Sequence, residues 1–105
     1  MAGSLILVVD DRHHDLFILE RRLLSHQYQV TTASSGQQAL DIAFEKAPDL
    51  ILLDVGMSEM DGFAVKEALN QNDATKDVPV VFVSRRDEID VKRQAFDLGA
   101  EDFLA

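Results

Sequence analysis

The sequence has no cysteine and no tryptophan, only two prolines and one tyrosine, and about half as many basic residues as acidic ones. Without cysteine, neither a disulfide framework nor a thiolate zinc site can form. That composition fits a reducing compartment. No apolar run approaches the roughly 20 residues that span a bilayer, so no membrane helix is expected. Ten Lys and Arg against 19 Asp and Glu give a net charge of −9. Phosphate backbones repel such a surface, which argues against direct nucleic-acid binding. The chain also lacks internal repeats and low-complexity tracts. Its first strand-to-helix turn, Asp10-Asp-Arg12, carries no glycine-rich loop to cradle a nucleotide.

What is present is a chain of 105 residues, 47% of them hydrophobic. That is enough for one domain, residues 1–105, and too little for two. Leu5-Ile-Leu-Val-Val9, Leu50-Ile-Leu-Leu53 and Val80-Val-Phe-Val83 are short, continuous apolar runs. Such runs suit strands covered on both faces in a parallel sheet. Gln29–Ala33 and Asp102–Leu104 are mixed in character and suit sheet edges. Helical patterns lie between the runs. Asp15–Ser25 carries Leu16, Leu19 and Leu23 on one stripe. Ser35 and Gln38 form a capping-box pattern that opens a helix through Phe44, and Pro48 lies beyond its end. Phe63–Asn70 and Asp90–Leu98 follow, the latter stopped by Gly99. The alternation β-α-β-α-β-α-β-α-β predicts a doubly wound α/β domain with right-handed crossovers.

Chemistry concentrates at the strand ends. Asp10 and Asp11 follow the first strand, Asp54 the third and Ser84 the fourth. In an open parallel sheet, functional groups gather beyond the carboxyl ends of strands. With strand order 2-1-3-4-5, these four residues meet on one edge. Three neighbouring carboxylates repel one another and raise at least one pKa unless a cation intervenes. Mg²⁺ suits such a donor set, taking one or two carboxylates, waters and a phosphate oxygen. A carboxylate nucleophile beside such a metal suits phosphoryl transfer, with the Ser84 hydroxyl on a phosphate oxygen. The plainer alternative makes Asp10 and Asp11 N-caps of the first helix. Asp61-Gly62 reads as a turn and helix start, and His13-His14 as solvated, since adjacent helical residues do not share a face. Met57 and Met60 read as loop packing.

Five segments then resemble, in order, those of response-regulator receiver domains of two-component signalling systems. They are Leu5-Ile-Leu-Val-Val-Asp-Asp11, Pro48-Asp-Leu-Ile-Leu-Leu-Asp-Val55, Met60-Asp-Gly-Phe63, Pro79-Val-Val-Phe-Val-Ser84 and Gly99-Ala-Glu-Asp-Phe-Leu104. The resemblance implies the flavodoxin-like receiver fold. It makes Asp54 the phosphoacceptor, Asp11 a direct Mg²⁺ ligand, Asp10 a ligand through water and the Gly56 carbonyl a further ligand. It makes Ser84 the group that bonds the phosphoryl and Phe103 the aromatic switch that turns inward when Ser84 moves. The partners implied are a histidine kinase or phosphotransfer protein upstream and an effector protein downstream, with a cytoplasmic location. The domain is then no enzyme toward other substrates, catalysing only its own phosphorylation and dephosphorylation.

Three departures from the family pattern shape the expectations. The loop Asp54-Val-Gly-Met-Ser-Glu-Met60 lacks the usual proline and adds Glu59. Arg85 replaces a small residue after the switch hydroxyl, and Arg86 is a candidate partial substitute for the missing Lys charge through its two-donor fork, the plainer and favoured reading being a solvated Arg at a helix entrance. The chain also ends one residue before the expected Lys-Pro, with the last helix absent. The expectation is a C-terminally incomplete receiver whose uncovered face invites homodimerisation or a domain swap. The competing function is a receiver-like interaction module that takes no phosphate. A phosphohydrolase ranks lower, because Asp54-Val-Gly56 offers no second carboxylate as general acid.

Overall fold

A computed structural model describes residues 3–57, 59–84 and 89–104. Five strands form one parallel sheet: β1 (Leu5–Val9), β2 (Gln29–Ala33), β3 (Leu50–Asp54), β4 (Val80–Val83) and β5 (Asp102–Leu104). Their order is β2-β1-β3-β4-β5, as expected. Four helices alternate with them among the described residues: α1 (His13–Ser25), α2 (Gly36–Lys46), α3 (Gly62–Asn70) and α4 (Ile89–Asp97). None is long and apolar enough to cross a membrane.

Side chains alternate across each strand, and the apolar runs fill both faces of the sheet. Leu7, Val9, Ile51, Leu53, Val80, Phe82 and Phe103 pack with residues of α2, α3 and α4 into the main core. Ile6 and Val8 pack with Leu16 of α1, and Leu19, Leu23, Leu50 and Leu52 lie against them. Each fully buried Leu or Phe contributes roughly 1.5–3 kcal/mol, so the central strands anchor the edge where the polar residues emerge. Phe63 meets Phe82 edge to face at 5.2 Å between centroids, fixing the start of α3 on β4.

Local signals behave largely as read. The Ser35 hydroxyl accepts the Gln38 N–H at 3.2 Å. The Gln38 side chain reaches back to the Ser34 N–H, one residue before the cap, at 2.9 Å. Gly99 sits at φ +89°, with Gly99 N donating to Phe96 O and Ala100 N to Ala95 O. That paired bonding is a Schellman closure of α4. The helix α1 begins two residues earlier than its apolar stripe predicts. Its N-cap is Arg12, whose side chain makes no cap bond, so neither Asp10 nor Asp11 is the capping residue. His13 and His14 are both exposed.

Candidate functional site

The site forms where β1 and β3 end. Val9 pairs with Leu53 across the sheet, so the residues that follow, Asp10 and Asp54, emerge side by side. Carboxylate oxygens of Asp10, Asp11 and Asp54 all lie within 4.8 Å of one another. Asp10 is nearly buried, at 9% exposure, while Asp11 and Asp54 are half-buried. Asp10 Oδ1 accepts the Arg12 N–H at 2.9 Å, which aims the carboxylate along the turn into α1. Asp54 Oδ1 accepts the Gly56 N–H at 3.3 Å, a short Asx-type turn at the start of the loop.

Electrostatics match this crowding. The Asp10 carboxyl is pushed above its ordinary value, first by burial and then by the charges of Asp54, Asp15 and Asp11. The Arg12 N–H opposes the rise. Asp15, on the first turn of α1, is a fourth carboxylate acting on the site that the sequence pattern alone did not single out. Three hard oxygen donors this close fit a hard divalent cation of the Mg²⁺ kind.

Ser84 follows β4 directly and is buried at 6% exposure. Val83 pairs with Asp54, and Ser84 N donates to Leu104 O at 2.9 Å. The serine therefore stands on the same edge, one strand along. Phe103, on β5, is paired with Phe82 and lies within the main core. It is already inward here. Gly56 is exposed, and a Cβ there meets nothing within 4 Å. Met57 is buried in the core, and Met60 packs against it. Ser58, Arg85 and Arg86 lie outside the described residues.

The start of α3 is built onto the backbone of Asp54. Asp61 caps the helix by accepting the Ala64 N–H at 2.9 Å. Gly62 N donates to Val55 O at 3.1 Å. A Cβ on Gly62 meets Asp54 O at 2.3 Å, so only glycine allows this approach. The close approach of Gly62 to the Asp54 backbone was not visible in the sequence, where Asp61-Gly62 read as turn chemistry and a helix start.

Residues 6–105 match the family described as Response regulator receiver domain. The chain belongs to the response-regulator receiver family. Over 99 residues it is 42% identical to the response regulator PleD of Caulobacter vibrioides, covering 94% of this chain and 22% of PleD. It is 41% identical to the transcriptional regulatory protein PrrA of Mycobacterium bovis, covering 94% of this chain and 42% of PrrA. The receiver thus spans under half the length of these two relatives. Among solved structures it resembles the Vibrio cholerae chemotaxis protein CheY4, with TM-score 0.94 and 28% identity over 99% of this chain and 87% of that one. A putative response regulator from Chloroflexus aurantiacus aligns with TM-score 0.92 and 31% identity, covering 98% and 84%.

Proposed function

We propose that this receiver takes a phosphoryl group from a histidine kinase or phosphotransfer protein onto Asp54 and, when modified, presents a changed surface to an effector protein. The observation that carries the reading is the cluster of three carboxylates at the ends of β1 and β3. An Asp54 oxygen attacks the phosphorus of the donor. The new P–O bond forms as the donor's P–N bond breaks, and the released imidazole takes up a proton. Asp10, Asp11 and Asp54, with the Gly56 carbonyl, would hold Mg²⁺, which when bound neutralises charge that otherwise repels the phosphate. Asp10 is positioned by the Arg12 N–H, and Asp54 by the Gly56 N–H. Ser84 supplies a hydroxyl donor from the neighbouring strand end. Its engagement, with Phe103 on the adjacent strand, shifts a two-state equilibrium at the surface of α4 and β5. The domain then acts on itself alone and is no enzyme toward other substrates. The location proposed with such a donor is cytoplasmic, and the charge of −9 opposes direct nucleic-acid contact.

Incubation with Mg²⁺ and acetyl phosphate, followed by intact mass measurement, tests this. A phosphate-sized gain that vanishes in Asp54→Asn is expected. No gain, together with no Mg²⁺ binding, indicates the interaction module that takes no phosphate. Continuous phosphate release without an adduct indicates a hydrolase.

A further inference from the structure

Helix α3 carries one stripe that its apolar pattern does not explain. Gly62, Lys66 and Asn70 fall four residues apart and so lie along one ridge of the helix. At one end, Gly62 is pressed onto the backbone of Asp54, with room for no Cβ. In the middle, Lys66 is buried at 3% exposure, a rare place for an ammonium group. Its Nζ donates to Asn70 Oδ1 at 2.8 Å. At the far end, Asn70 Nδ2 donates to Leu98 O at 2.9 Å. Leu98 is the first residue after α4, at the turn into β5. The ridge therefore runs from the carbonyl of the phosphoacceptor to the turn beneath the α4–β5 surface, a helix rise of about 12 Å.

We propose that Lys66 and Asn70 form a polar tether holding the end of α4 to α3, and that through Gly62 this tether couples the state of Asp54 to the turn between α4 and β5. The coupling rests on the proposed phosphorylation of Asp54, while the tether does not. It is a route distinct from Ser84 and Phe103, since it leaves the site through the Gly62 contact and along α3 rather than through the ends of β4 and β5. Three features support it. The Gly62 contact is backbone against backbone, so a shift of the Asp54 peptide moves the helix start. A nine-residue helix transmits that shift as a unit. The Asn70 amide uses both its ends, accepting from Lys66 and donating to Leu98, so it cannot follow one partner without the other. Glu101, just beyond the same turn, exerts an attractive charge on Lys66. Lys66 and Asn70 are positioning residues, touching neither metal nor phosphate.

The test uses the full chain and three variants: Lys66→Met, Asn70→Ala and Asn70→Asp. Asn70→Asp keeps an acceptor for Lys66 but removes the donor to Leu98. Hydrogen exchange of peptides covering 98–104 is measured with Mg²⁺ alone and with Mg²⁺ plus acetyl phosphate, while intact mass records modification of Asp54. All three variants are expected to take up the phosphoryl group within about twofold of the parent. In the unmodified state their exchange at 98–101 is expected to rise about fivefold, the loss of one net hydrogen bond. The phosphorylation-dependent change there is expected to shrink by half or more. Wild-type exchange in the unmodified variants overturns the tether. Faster basal exchange with a full phosphorylation response makes it a brace only and overturns the coupling. If the parent takes up no phosphoryl group, the proposed function and the coupling both fall, and the basal exchange alone decides the tether. Should Lys66→Met not fold, the two variants of the exposed Asn70 carry the same readouts.

Discussion

Asp10 shows how one carboxylate can weigh against stability while serving a site. Its pKa is raised above 3.8, chiefly by burial. The folded state then holds its proton more tightly than the unfolded state. The cost of ionising it is absent below that ordinary value and complete once pH exceeds the raised folded value. Asp10→Asn is therefore expected to raise the Tm of the metal-free protein at pH 7 by a few degrees. The gain stays at or below about 1 kcal/mol because water still screens the site, and it disappears below the ordinary carboxylate range. The same variant should lose most of the stabilisation that Mg²⁺ confers. Thermal melts at two pH values, with and without Mg²⁺, check both points; an equal Mg²⁺ response in parent and variant contradicts the ligand role. Gly62 is the complementary case. Gly62→Ala drives a methyl into Asp54 O, and overpacking of this kind costs about 1–3 kcal/mol. Denaturant unfolding should show that loss, and phosphoryl uptake at Asp54 should fall with it.

At the scale of elements, the helices divide by how they are held. The second, α2, has a well-formed cap at Ser35, and Ser35→Ala should cost about 1 kcal/mol in denaturant unfolding. The third, α3, contains a buried ammonium whose pKa is lowered by burial, an effect opposed by Glu101. The unfolded chain binds that proton more tightly, so the penalty is complete below the lowered folded value and gone above 10.5. Any stability advantage of Lys66→Met over the parent should therefore shrink as pH is raised toward 10.5, as paired melts at pH 7 and pH 10 will show. Element existence was legible in the sequence because continuous apolar runs mark buried parallel strands and periodic stripes mark helices. The boundaries were less so. The start of α1 is set by the Asp10 carboxylate accepting the Arg12 N–H two residues on, while the capping position itself holds an arginine whose side chain makes no cap bond. Lys66 was missed for a related reason. A lysine in an exposed-looking helix position is read as solvated unless its i+4 partner and the neighbouring turn are both known.

For the whole molecule, the order of strands turns separate sequence segments into one site. Asp10, Asp11 and Asp54 are more than forty residues apart at the extreme, yet the register of β1 on β3 brings their oxygens within 4.8 Å. That convergence was readable because each aspartate closes an apolar run. The inward placement of Phe103 was not readable, since strand alternation assigns it a face but not a rotamer state. The two faces of the sheet are unequally filled. By strand alternation, Val81, Val83 and Leu104 share the face that α1 covers near β1, and they are half-buried or, for Leu104, 50% exposed.

The central claim is that the strand-end carboxylates act as one cation site. A Mg²⁺ titration followed by amide chemical shifts tests it most directly. A single saturating curve, with the amides of residues 10, 11 and 54–56 sharing one Kd and the response abolished in Asp54→Asn, is the predicted result. Shifts that never saturate, or that give unrelated Kd values at Asp10 and Asp54, contradict it.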